Sequence, residues 1–242
     1  MIKKSAFLIA LLLLFCSTSL AEQDYQQQRD HLVQRIKDNV ALNNDYLLSE
    51  HIDARVLDVI RFVPRHEFVP QKYRKHAYKN RPLPIGFGQT ISQPVIVAIM
   101  TDLLQLKQKN HVLEIGTGSG YQAAVLARLV DKVYSIEIVE ELFERSSRDL
   151  KRLGFDNVAT RSGDGYFGWP EQAPFDRIIV TAANSHIPPS LIKQLKPGGR
   201  MVLPVGGKFL LQHLVLVIKD VEGNVTTQQL LPVKFVPLTG QH

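Results

Sequence analysis

The sequence predicts an α/β fold: a doubly wound, mostly parallel Rossmann-like sheet that ends in an antiparallel hairpin and carries extra helices at its N-terminal side. Two observations predict it. From residue 95 to 205, short apolar runs alternate with helical stretches, the pattern of parallel strands joined by crossover helices. One run, Val112-Leu113-Glu114-Ile115, leads straight into Gly116-Thr117-Gly118-Ser119-Gly120 and then a helix, a turn suited to close approach of backbone and ligand. The composition agrees. The chain has 242 residues, 45% hydrophobic and 21% charged, with 15 Gly, 13 Pro and one Cys. That balance excludes collagen, a disordered tail, a disulfide framework and a polytopic membrane protein.

Residues 1–21 combine Lys3 and Lys4, an apolar run from Ala6 to Phe15, and Ser19-Leu20-Ala21, so they are expected to be a secretory signal cleaved after Ala21. The run is shorter than the ~20 residues of a membrane span, so no stable membrane insertion is expected after cleavage. Cleavage would remove two lysines and the only cysteine, lower the net charge from +6 to +4, and place the protein in the periplasm. Residues 22–48 are expected to form a helical extension and residues 49–242 a single domain. In the extension, Leu32, Val33, Ile36 and Val40 share one face of a helix running from Asp24 to about Asn43.

Ile52, Val56, Val59 and Ile60 predict a second helix, stopped by Pro64. Residues 64–94 hold five prolines and two glycines, which predicts a loop-rich segment of functional weight. Its cations Arg65, Lys72, Arg74, Lys75, Lys79 and Arg81 read as a solvated face, and no nucleic-acid module accompanies them. Further strands are predicted at Val133–Ile136, Asn157–Arg161, Arg177–Thr181 and Met201–Val205, with helices over 95–106, 121–130, Glu140–Leu153 and Pro189–Leu195 between them. Gly154 suits a left-handed helix cap. Leu210–Lys219 and Val225–Val236 form the closing hairpin around Glu222-Gly223-Asn224.

The glycine turn narrows the ligand. A dinucleotide site of the G-x-G-x-x-G type would place a glycine at 121, where Tyr121 stands, and the run Gly116, Gly118, Gly120 is G-x-G-x-G instead. Glu114 suits a cationic ligand end better than a pyrophosphate. Glu137, at the end of the next strand, can accept from both ribose hydroxyls, and Asp164, before Gly165, is placed to receive an adenine amino group. This charge pattern favours S-adenosylmethionine over a nicotinamide dinucleotide. The residues alone leave open another methyl acceptor, such as a small acid or nucleic acid, or a non-catalytic nucleoside-binding module. None of the eight histidines has convincing zinc-ligand spacing, so no metal is expected.

Several stretches resemble the protein-L-isoaspartate O-methyltransferase family. They are Leu83–Pro94 (LPIGFGQTISQP), Val112–Ala124 (VLEIGTGSGYQAA), Gly163-Asp164-Gly165, Ala173–Ala183 (APFDRIIVTAA), Pro197–Arg200 (PGGR), Pro204–Gly206 (PVG) and Phe235–Leu238 (FVPL). The resemblance implies methyl transfer from S-adenosylmethionine to the free α-carboxylate of an L-isoaspartyl residue in a damaged protein. The ester then collapses to a succinimide that hydrolyses partly to normal aspartate. By position, the resemblance makes Ser92 the active-site serine, sets Thr90 and Ile91 beside the cofactor, and assigns Glu137 and Asp164 to its ribose and adenine. Thr239 closes over it. Because a carboxylate with pKa near ~4 is already ionised at neutral pH, such a reaction needs no general base, and a missing Ser-His-Asp or Cys-His set fits it.

Overall fold

The computed structural model of the chain describes residues 24–42, 51–207 and 211–240, so the expected signal at 1–21 lies outside the described residues. A first helix, α1 (residues 24–42), is followed by α2 (Ala54–Phe62), α3 (Pro94–Leu103), α4 (Tyr121–Ala127), α5 (Glu140–Arg152) and α6 (Pro189–Gln194). Short strands β1 (Leu83–Gly86) and β2 (Gln89–Ile91) form a separate antiparallel pair. The main sheet contains β3 (His111–Ile115), β4 (Lys132–Glu137), β5 (Val158–Ser162), β6 (Phe175–Val180), β7 (Leu195–Val205), β8 (Gln212–Lys219) and β9 (Val225–Val233).

Its strand order is β5-β4-β3-β6-β7-β8-β9, parallel from β5 to β7 and antiparallel through β8 and β9. The chain therefore winds outward from β3 to β5 and then returns to the other side of β3 with β6. That reversal opens a crevice at the carboxyl ends of β3 and β6, where ligands of such sheets bind. The central strands are mostly apolar because both faces are covered, and alternate residues divide between two cores. Val112, Val133, Ile179 and Val202 join one cluster with residues of α1 to α5, while Leu113, Ile136, Ile178 and Met201 join another with Leu191 of α6.

The amphipathic reading of α1 holds, since Leu32, Val33, Ile36 and Val40 are all buried in the larger cluster. Tyr25 stacks on His66 at 3.8 Å, and the Arg35 guanidinium donates to the Tyr78 carbonyl at 3.0 Å, so the helix docks on the segment that precedes β1. Gly154 ends α5 at φ 77°, with the Phe155 amide donating to the Leu150 carbonyl at 3.0 Å. Two features differ from the sequence expectation. Pro197-Gly198-Gly199 is a bulge inside β7 rather than a turn before it: Phe175 pairs with Leu195 and Arg177 with Arg200, so residues 196–199 stand opposite Asp176 alone. The proline-rich stretch also contains the β1–β2 hairpin, whose strands are too short to show alternation in sequence.

The reading of the basic cluster needs a larger correction. Arg65 is 0% exposed and belongs to the interior, not to a solvated face. It lies on a 3-10 turn, Arg65–Phe68, that follows α2. Among the described residues no helix is long and apolar enough to cross a membrane.

Candidate active site

The glycine turn after β3 is held from two sides. The amides of Gly116 and Thr117 donate to the Ile136 carbonyl at 2.8 and 3.2 Å, fixing the turn to the end of β4. The Thr181 hydroxyl, just beyond β6, donates to the Gly116 carbonyl at 2.7 Å. Gly116 sits at φ 93°, and a Cβ there would lie 2.6 Å from that hydroxyl, so only glycine fits beneath the strap.

Glu137 extends from the end of β4 into this frame. One carboxylate oxygen accepts from the Gly118 amide at 2.7 Å and the other from the Val139 amide at 2.9 Å. The turn and the first residues of the next helix thus share one anion, and among the described residues Glu137 is the only charged one in the wall of the adjoining cavity.

Of the residues expected at the site, Thr90, Ile91, Ser92, Gly116, Gly118, Glu137, Gly165 and Thr239 line this cavity. Three stand outside its wall. Gly120 turns into α4 at φ 86° and faces α5, so its demand for glycine comes from the left-handed backbone, with Leu150 Cγ 3.2 Å from where a Cβ would sit. Asp164 caps the 3-10 turn Gly165–Phe167 by accepting from the Tyr166 amide at 2.9 Å. Glu114 is 0% exposed. It lies beneath the turn, where the Ser135 hydroxyl donates to its Oε2 at 2.5 Å and the Thr117 hydroxyl sits 2.6 Å from Ser135. Its Oε1 has no hydrogen-bond partner. Burial pushes the Glu114 carboxyl up to about 8; the Ser135 bond opposes this and the Glu137 charge adds to it.

Some wall residues escaped the sequence reading. Ile138 and Val139 follow Glu137, Thr181 and Ala182 follow β6, and Val236 to Leu238 come from the C-terminal segment. The rule that ligands sit at strand carboxyl ends would have found the first four. The last three arrive through tertiary contacts: the Ala183 amide donates to the Val236 carbonyl at 2.8 Å and the Leu238 amide to the Ala183 carbonyl at 2.7 Å. Trp169 packs edge-on to Tyr134, with the Arg161 guanidinium 4.9 Å from its ring centre.

A second opening, on the far side of Ser92, is lined by Pro82, Gln93, Ile96 and residues 232–236, and it shares Thr90, Ser92, Thr181 and Val236 with the first. Among the described residues its only charged lining residue is Lys234. Ser92 is half-buried between the two openings, and its hydroxyl makes no hydrogen bond with another described residue.

A family profile for protein-L-isoaspartate(D-aspartate) O-methyltransferase (PCMT) matches residues 31–242. The chain belongs to this family. Protein-L-isoaspartate O-methyltransferase 2 of Syntrophobacter fumaroxidans is 55% identical over 240 residues, covering 98% of this chain and 97% of its own. Protein-L-isoaspartate O-methyltransferase 1 of Cupriavidus necator is 56% identical over 227 residues, 94% and 88% of the two chains. A solved protein-L-isoaspartate O-methyltransferase superposes with TM-score 0.75 at 30% identity over 88% of this chain and 66% of that one. A Plasmodium falciparum structure in complex with S-adenosyl-L-homocysteine has the same fold, with TM-score 0.72 at 24% identity over 89% and 98% of the two chains. The enzyme is accordingly an S-adenosylmethionine-dependent carboxyl methyltransferase.

Proposed function

We propose that the cavity bordered by Glu137 takes S-adenosylmethionine, that the groove bordered by Lys234 takes the isoaspartyl segment of a damaged protein, and that Ser92 orients its free α-carboxylate between them. The observation that carries this is the shared wall, in which Ser92 places a hydroxyl without a hydrogen-bond partner among the described residues between an opening bordered by a carboxylate and an opening bordered by an ammonium group. The cavity fits a cationic nucleoside. It offers a fixed carboxylate for vicinal hydroxyls and apolar surface from Ile115, Ile136 and Ile138. Gly118 and Gly165 sit at its edges, and Asp164, one residue before Gly165 and outside the wall, would have to reach in to meet the adenine.

S-adenosylmethionine supplies an electrophilic methyl group on a positively charged sulfur. Everything the chain itself does is positional. Glu137 is pre-ordered by two backbone amides, so it pays little to meet a ribose. The Ser92 hydroxyl donates one hydrogen bond to the acceptor carboxylate and leaves its other oxygen directed across the shared wall. No proton moves in the transfer, which suits a serine with no basic partner. Alignment of this kind can supply ~7–11 kcal/mol.

The assay that tests this offers the full chain an isoaspartyl peptide and its aspartyl twin with labelled donor. The expected result is label in a base-labile ester on the first peptide alone. Equal labelling of the twins, or none, would overturn the acceptor assignment. We further propose that residues 22–48 brace a catalytic unit spanning 49–242, and that residues 1–21 direct export to the periplasm. N-terminal sequencing of the chain recovered from that compartment should begin at Glu22, and recovery of the intact chain only from the cytoplasm would refute the export reading.

A further inference from the structure

Arg65 is the largest of the fully buried side chains. No ion pair among the described residues includes it. Burial draws its pKa down to about 10, so it stays a cation at neutral pH. A buried charge without a counter-charge is costly and persists only where hydrogen bonds and polarisable groups replace water. Three neighbours do so here. Nε donates to the Ala77 carbonyl at 2.9 Å, Nη2 donates to the Ser92 carbonyl at 2.7 Å, and the guanidinium carbon lies 4.8 Å from the centre of the Tyr121 ring. Nη1 has no hydrogen-bond partner.

These neighbours belong to different parts of the machinery. Ser92 lies on the loop between β2 and α3, at the border of the two openings. Tyr121 is the first residue of α4, directly after the glycine turn. Ala77 belongs to the segment on which α1 docks. The same segment holds the Ser92 loop a second time, since Asn80 accepts from the Gln93 side chain at 3.0 Å through its carbonyl and from the Val95 amide at 3.1 Å through its side chain. One planar cation therefore ties the backbone of the acceptor-side serine to the helix that starts on the donor side.

We infer that Arg65 is a positioning residue for methyl transfer: by clamping the Ser92 carbonyl against Tyr121 it sets the Ser92 hydroxyl at the height of the donor cavity. This rests on the assignment of Ser92 to the acceptor carboxylate. A lysine at 65 keeps the charge but lacks the planar fork that reaches both carbonyls, whereas a methionine fills similar space with neither charge nor donors.

The test is a double-mutant cycle in the full chain, with Arg65→Lys and Arg65→Met each made alone and with Ser92→Ala. Turnover of the isoaspartyl peptide and affinity for S-adenosylhomocysteine are the two readouts. Arg65→Lys should lower kcat about 10-fold, because a displacement near 1 Å costs up to ~100-fold in rate, while S-adenosylhomocysteine affinity changes less than about 2-fold. In the Ser92→Ala background the same change should cost almost nothing further. Losses that simply multiply would refute the inference, as would a loss of nucleoside affinity as large as the loss of kcat. Arg65→Met should repeat the pattern more strongly, and if it does not fold the lysine cycle still decides. Should Ser92→Ala alone leave turnover unchanged, the assignment of Ser92 itself fails, an outcome distinct from additive losses.

Discussion

The two openings beside Ser92 share a wall of Thr90, Ser92, Thr181 and Val236 and differ in everything the wall does not include. The donor side is built at strand ends: its anion, Glu137, is buried and tied to two backbone amides. The acceptor side is built from a loop and the C-terminal segment, and its cation, Lys234, is exposed. A rigid, buried charge suits one invariant nucleoside. An exposed, long-stemmed charge suits acceptors whose neighbouring residues vary from protein to protein. Under the proposed assignment, the contrast makes donor specificity a matter of pre-ordered geometry and acceptor recruitment a matter of longer-range field.

The largest expected effect probes the deepest carboxyl beneath the glycine turn. Glu114 is pushed up to about 8 in the folded chain from an ordinary value of 4.5. The folded state therefore holds a proton that the unfolded chain has released, and stability falls as pH rises from 4.5 to about 8. Glu114→Gln should remove that dependence, gaining on the order of 4 kcal/mol over the wild type near pH 9 and converging with it toward pH 4.5. Parallel stability curves for the two proteins in denaturant titrations would show that the carboxyl is not held protonated.

Next, Glu137→Gln should weaken S-adenosylhomocysteine binding ~100-fold by calorimetry, since it removes charge-assisted bonds to the ribose and leaves one backbone amide without its acceptor. Affinity within a few-fold of the wild type would erase the distinction between the two sides. Ser92→Ala should lower kcat by ~10–100-fold through loss of a hydrogen bond to a charged group, with nucleoside affinity kept. If binding fell and turnover did not, the serine would belong to the donor side. The smallest effect is Lys234→Glu, expected to raise KM for an anionic acceptor by ~3–5-fold at low salt and less at high salt, with kcat unchanged. Salt-independent kinetics in both proteins would remove Lys234 from recruitment.

Legibility varied with the range of the interaction. The turn from Gly116 to Gly120 could be read because it is a local stereochemical demand, and the placing of Glu137 followed from the length of one strand–helix–strand unit. The β1–β2 hairpin could not be read, because three- and four-residue strands interrupted by Pro84 offer too few alternating positions. The misplacing of Arg65 has a different origin. A sequence shows charge but not the carbonyls of Ala77 and Ser92 that allow the charge to be buried. Asp164 adds a local role that the sequence reading did not state, the cap in which it accepts from the Tyr166 amide.

The residue pattern by itself determined the alternating layers, the crevice at the end of β3, the glycine turn and the stretches that mark the family, because each depends on periodicity or backbone stereochemistry within about fifteen neighbouring positions. Only the folded chain decided that Val236 to Leu238 wall the cavity beside Glu137, that Glu114 lies beneath the turn instead of in it, and that Ser92 borders both openings. Those outcomes depend on which distant segments pack together and how much water they exclude, and burial of that kind is a property of the assembled core.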